Sequence, residues 1–129
     1  MTYFVGTDLV YVPAFTEQLA RPGSRFEAVF SSRELRLAST KQRREEHLAG
    51  RWAAKEAFIK AWSQSLFGFP PPLAPDAVDF SEIEVVADSF GRVVVEPRGK
   101  VREASGMERV QLSISHDGDY ATATCIIER

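Results

Sequence analysis

The sequence predicts an α+β fold in which an antiparallel sheet of hairpins packs on one long helix, with short helices around it. Three observations predict it. From Lys41 to about Ser63 apolar residues recur at helical spacing, whereas the C-terminal half alternates apolar and polar residues in pairs of segments joined by turn residues. The chain has 129 residues, enough for one hydrophobic core and too few for two, so residues 1–129 are expected to form one domain.

Tyr3 to Val12 mixes aromatic and β-branched residues and reads as a strand that leaves Asp8 near its far end. Pro13 starts a short helix to about Ala20, because a first turn does not need its missing N–H. Arg21-Pro22-Gly23-Ser24 is a loop, after which Phe26, Val29 and Phe30 return the chain to the core. Ser31 with Glu34 makes a capping-box pattern for a helix over Ser31–Leu37. Ser39-Thr40 offers an N-cap for the long helix from Lys41, whose buried stripe would be Leu48, Ala49, Trp52, Ala53, Ala57, Ile59 and Trp62. Phe69 to Pro75 is proline-rich and reads as a stiff surface connection. Two hairpins complete the chain: Ile83, Val85 and Ala87 alternate with exposed acids ahead of Val93-Val94-Val95, and Val110–Ser115 pairs with Tyr120–Ile127 through a turn at His116-Asp117-Gly118-Asp119. Between the hairpins, Gly99–Ala104 forms a short helix that Ser105-Gly106 ends.

Composition narrows the function classes. Hydrophobic residues make up 44% and charged residues 26%, and no apolar run approaches the length of about 20 residues that spans a bilayer. The N-terminal stretch has no signal-peptide pattern, so the cytoplasm is the expected compartment. Cys125, the single cysteine, cannot close an internal disulfide and reads as core, and no His/Cys spacing suggests zinc. Net charge is only −2, so neither nucleic acid nor a membrane is the expected partner. That average hides a contrast: Lys41 to Lys60 holds six basic residues against three Glu, and Ala74 to Glu96 holds six acids against one Arg. This is either two solvated faces or the surroundings of a site for a compact anion.

Several side chains have both a structural and a chemical reading. Glu56 and Lys60 are either an i,i+4 helix pair or functional charges set among two tryptophans. Asp8 is either a cap before Pro13 or, with Glu56, one of two oxygen ligands for Mg²⁺, with water and phosphate completing the octahedron. Arg43 and Lys60, on the same helix as Glu56, would make such a site selective for phosphate. His116 is either a hydrogen-bonded turn residue or a donor to phosphate, while His47 reads as surface.

Gly6-Thr7-Asp8-Leu9-Val10 together with Leu48-Ala49-Gly50-Arg51-Trp52-Ala53-Ala54-Lys55-Glu56-Ala57-Phe58-Ile59-Lys60-Ala61 resembles the holo-acyl-carrier-protein synthase (AcpS) family of phosphopantetheinyl transferases. Val29–Leu35 and Ser113–Asp117 match family positions in the same order, so the resemblance spans essentially the whole chain. It implies the 4'-phosphopantetheinyl transferase fold and an Mg²⁺-dependent transfer of the 4'-phosphopantetheine arm of coenzyme A to a serine of apo acyl carrier protein, releasing adenosine 3',5'-bisphosphate. Fatty acid biosynthesis is the associated process, with polyketide carriers open. Residue by residue, it implies that Asp8 and Glu56 hold the metal and, with Lys60, are the catalytic group. Arg43, Lys60, Ser65 and His116 would contact coenzyme A. Where many relatives have Gly-Thr-Gly after the signature lysine, this chain has Trp62-Ser63-Gln64-Ser65, and it has Ala14 where relatives place a basic residue for the carrier. Arg21 and Arg25 are then the expected docking residues on charge grounds, and the run from Pro70 to Pro75 is longer than expected of the family. Relatives are trimers with the site between subunits, so a homotrimer is expected, with some contacts such as His116 supplied by the neighbouring chain. The alternative is a non-catalytic module that binds coenzyme A or a carrier protein without transfer.

Overall fold

In the computed structural model, which describes residues 1–129, the alternating N-terminal segment is strand β1 (Tyr3–Tyr11), with Gly6 and Val10 turned into the core and their neighbours outward. The strand stops one residue short of Val12, which begins helix α1 (Val12–Ala20) with Pro13 in its first turn. Helix α2 (Ser32–Ala38) carries the expected capping box. The Ser31 hydroxyl accepts from the Glu34 amide at 3.1 Å, and the Ser31 amide donates to Glu34 Oε1 at 2.8 Å.

The long helix starts later than expected. Ser39 and Thr40 do not cap it: their hydroxyls donate backward to the carbonyls of Arg36 and Leu37, each at 2.6 Å. Those carbonyls belong to the last turn of α2, where acceptors no longer have a following helical amide four residues on, and they lie within reach of the two hydroxyls. Lys41 to Arg43 therefore make a turn, and helix α3 (Arg44–Ser65) begins with Glu45 and Glu46 in its first turn, where acids suit the helix dipole.

Strands β2 (Ile83–Ala87) and β3 (Val93–Pro97) form the first hairpin, followed by helix α4 (Gly99–Ser105). The second hairpin is β4 (Val110–Asp117) and β5 (Tyr120–Glu128). Its turn is only Gly118-Asp119, because Asp117 already pairs with Tyr120. His116 is thus a ladder residue opposite Ala121 and not a turn residue, which fixes its ring against the inner face of the sheet. The sheet order is β1-β5-β4-β3-β2, antiparallel throughout. No helix is long and apolar enough to cross a membrane.

Helix α3 lies across β1, β5 and β4. It reaches β1 at backbone contact distance, since a Cβ on Gly6 would run into the Ala57 carbonyl oxygen and the Ala61 amide nitrogen. Only glycine fits there. Ala53, Ala57, Phe58 and Trp62 pack with Val10, Ala121, Ala123 and Ile127 as one core. Cys125 belongs to it, and burial pushes its thiol up to about 12, as suits an inert core residue. Two stripe residues depart from expectation: Trp52 and Ile59 are only half-buried. Trp52 sits at the rim, with its ring centroid 5.0 Å from both Phe26 and Phe80. Glu84, expected on the exposed side of β2, is largely buried, and Arg98 bonds it at 3.1 Å.

The most deeply buried charge is Lys55. It is fully enclosed, and its ammonium bonds Glu34 Oε1 at 2.9 Å, the Phe80 carbonyl at 2.9 Å and the Ile83 carbonyl at 2.7 Å. These three acceptors use all its donors. Desolvation pulls Lys55 below the ordinary lysine value while the Glu34 carboxylate opposes that pull. Glu34 Oε2 in turn accepts from the Val85 amide at 2.8 Å, so one ion pair joins α2, α3 and β2. Removing the cation alone strands a buried carboxylate, and Lys55→Met is expected to lower the unfolding free energy in urea by about 3–5 kcal/mol.

Candidate active site

Asp8 faces inward from β1, two residues beyond the Gly6 contact, and therefore lies against α3. Lys60 Nζ bonds Asp8 Oδ1 at 3.1 Å and also donates to the Thr7 carbonyl at 3.0 Å. Glu56, one helical turn earlier, lines the same cleft as Asp8, together with Trp52 and with Ala14 and Gln18 of α1. Burial first, and then the Asp8 charge, hold the Glu56 carboxyl above the ordinary value, with Lys60 pulling the other way. Two carboxylates brought together at the cost of repulsion, with a single ammonium on one of them, form a donor set of hard oxygens. No cluster of three or more His, Cys, Asp or Glu side chains is placed to hold a metal. A divalent ion at Asp8 and Glu56 would thus have to complete its shell from water and phosphate oxygens, which suits Mg²⁺.

A second, more open groove at the start of α3 brings Arg43 and His116 together with Lys41, Glu46 and His47. His116 Nε2 lies 3.0 Å from the Glu46 carbonyl, which can only accept, so Nε2 carries the proton and Nδ1 is the nitrogen left for another partner. The ring packs on Gly50, where a Cβ would stand 2.7 Å from Nε2. Gly50 is thus a site residue that helical periodicity did not single out; a glycine inside a good helical pattern, costing roughly 1 kcal/mol against alanine, was its signal. Arg43 is exposed and bonds Glu46 at 3.2 Å. His47 was expected on the surface, yet it is half-buried and its Nε2 is enclosed without a hydrogen-bond partner. Desolvation, then Arg51, Lys41 and His116, lower its pKa to about 4.

The remaining expected residues stand apart from both grooves. Ser65 Oγ donates to the Trp62 carbonyl at 2.6 Å and closes the last turn of α3. Arg21 and Arg25 are exposed on the loop after α1.

Residues 4–125 match the family model described as the 4'-phosphopantetheinyl transferase superfamily. The chain belongs to that superfamily. It is 57% identical over 129 residues to the holo-[acyl-carrier-protein] synthase of Corynebacterium glutamicum strain R, covering 95% of this chain and 96% of the relative. Among solved structures, a Chronobacterium ammoniagenes ACPS-CoA complex superposes with a TM-score of 0.91 at 57% identity, covering 98% of this chain and 96% of that one. The Mycobacterium tuberculosis acyl carrier protein synthase superposes with a TM-score of 0.77 at 40% identity, over 97% and 96% of the two chains. The α+β fold of this transferase is therefore that of its solved relatives.

Two pH-linked expectations follow from the site's charges. The unfolded chain protonates His47 near its ordinary value of 6.5, whereas the folded chain resists until about 4. Stability should fall as pH drops through that window, and His47→Phe should flatten this part of a urea-midpoint against pH curve. Glu56 is shifted upward, so its charged form opposes folding at neutral pH. Glu56→Gln should raise the melting temperature of the metal-free protein, measured in chelator, while lowering any stabilisation by Mg²⁺.

Proposed function

We propose that this phosphopantetheinyl transferase is a holo-[acyl-carrier-protein] synthase, which moves the 4'-phosphopantetheine arm of coenzyme A onto a serine of apo acyl carrier protein. The observation that carries this reading is the Asp8, Glu56 and Lys60 constellation, set by β1 and α3 in a chain 57% identical to a holo-[acyl-carrier-protein] synthase. Residues 1–129 act as one catalytic domain in this reading, and the cytoplasm is its compartment.

In the reaction the serine oxygen bonds to the phosphorus that carries pantetheine, and the phosphoanhydride bond breaks. Adenosine 3',5'-bisphosphate leaves with that electron pair, and the serine proton passes to a base at the cleft. Asp8 and Glu56 would hold Mg²⁺, which when bound neutralises charge on the pyrophosphate. Lys60 supplies positive charge beside the transferring phosphoryl group, and its bonds to Asp8 and the Thr7 carbonyl aim it before substrate arrives. Arg43, in the groove at the start of α3, binds the adenosine 3'-phosphate; His116, whose Nε2 donates to the Glu46 carbonyl, is left with Nδ1 to accept from a ribose hydroxyl. Transfer by positioning and charge neutralisation asks for little covalent chemistry from the protein. Arg21 and Arg25, exposed on the loop after α1, are the cations that would meet an acidic carrier helix. Ser65 contributes only once its hydroxyl leaves the Trp62 carbonyl.

The working unit in this reading is a homotrimer. The sheet face away from α3 exposes Tyr3, Val5, Leu9, Tyr11, Tyr120 and Ile126, an uncovered apolar stripe on β1 and β5 that suits association between copies. His116 lies beside this face, in a depression with Leu9 and Tyr120, where a neighbouring chain could complete the groove.

Incubation with apo acyl carrier protein, coenzyme A and Mg²⁺ should add the mass of the arm to the carrier. Glu56→Gln should lower kcat by at least about 100-fold, the scale of losing one electrostatic group. Full activity in that variant would overturn the site, and tight coenzyme A binding without transfer by the wild type would overturn the enzyme. Leu9→Lys is expected to shift sedimentation from trimer to monomer with loss of transfer, and an active monomer would refute the assembly.

A further inference from the structure

Strand β1 pairs with β5 along one edge and has no strand on the other. Along that free edge two α3 side chains take up its main-chain groups: Gln64 Oε1 accepts from the Val5 amide at 2.8 Å, and Lys60 Nζ donates to the Thr7 carbonyl at 3.0 Å. The two rungs match in spacing. Four residues of helix rise about 6 Å, and two residues of strand span about 6.7 Å. Between the rungs Gly6 lies on the backbone of Ala57 and Ala61. That contact sets how near the strand is to the helix, but it does not stop the strand sliding along it.

We propose that Gln64 is a positioning residue, which fixes the slide of β1 along α3 and so holds Asp8 at the setting where it and Glu56 share a cation. Gln64 itself is exposed and lies outside the cleft, and it touches neither carboxylate. Its influence runs through the strand: Val5 is pinned by Gln64, Thr7 by Lys60, and Asp8 follows directly, its carboxylate on the same ammonium. Lys60 alone cannot set the register, because one long flexible side chain serves both the Thr7 carbonyl and Asp8 and can follow the strand as it moves. A second rung removes that freedom. Small displacements of a charged ligand matter here because catalysis in such a site comes from geometry set in advance.

The inference rests on the transferase reading for its kinetic consequence and on the fold alone for its structural one, and the test separates them. Gln64→Met keeps length and removes the acceptor; Gln64→Glu keeps the acceptor. In Gln64→Met the Val5 amide should exchange with deuterium at least about 10-fold faster by NMR, and Mn²⁺, used as the paramagnetic probe, should bind about 5-fold more weakly. Transfer should lose about 5-fold in kcat with the KM for coenzyme A nearly unchanged, and Gln64→Glu should restore most of both losses. Melting temperatures of the three proteins should differ little, since the side chain is exposed. Unchanged Mn²⁺ affinity and kcat in Gln64→Met overturn the proposal, as does a loss that Gln64→Glu fails to restore. If the wild type transfers nothing, the transferase reading fails, while amide exchange and Mn²⁺ binding still decide the positioning role.

Discussion

The close approach of β1 to α3 is the constraint on which the rest of the molecule depends. With no side chain at Gly6, strand and helix meet backbone to backbone at Ala57 and Ala61. Small residues on α3 extend the same approach over β5, where Ala121 and Ala123 face the alanines of the helix. A larger residue at Gly6 would lift β1 off the helix and move Asp8 away from Glu56. The alanine-rich middle of α3 is thus explained by distance more than by helix propensity, although alanine satisfies both.

Charge is arranged around this contact in two ways. On one side of α3 Lys55 and Glu34 form an ion pair that has lost its water and recovers the cost through backbone partners. On the side facing the cleft, Glu56 and Asp8 are like charges left under-compensated, with Lys60 on one of them. Adjacent residues, Lys55 and Glu56, therefore serve opposite ends: the first is satisfied within the protein, and the second is held near a like charge with only Lys60 to offset it. The strain of the unsatisfied side is tolerable because the satisfied side knots three elements beneath it.

Much of this was legible in the residues. The capping box at Ser31, the two hairpins and the helical stripe follow from local chemistry, and Asp8, Glu56 and Lys60 stand out by charge set among apolar neighbours. The misreadings share a cause: each turned on a packing partner that the local pattern does not name. Ser39 and Thr40 look like caps for the following helix until the carbonyls of the preceding one claim their hydroxyls. Lys55 falls on the same helical face as Leu48 and Trp62, seven residues to either side, and that phase was the available signal of its burial. His47 has an ordinary surface pattern, and only the packing of Arg51, Lys41 and His116 around it makes its environment costly for a proton. Trp52 is placed at the rim of the cleft by Phe26 and Phe80, whose positions periodicity does not encode.

The clasp along β1 has a further consequence, for how copies of the protein can meet. A strand with a bare edge is a template onto which another strand can add, and such addition does not close. Here the Val5 amide and the Thr7 carbonyl are already occupied by Gln64 and Lys60. Growth of the sheet at its β1 edge is discouraged, while the apolar stripe on the outer face of β1 and β5 stays open. In the proposed trimer, Gln64 and Lys60 would thus favour closed association over open-ended growth.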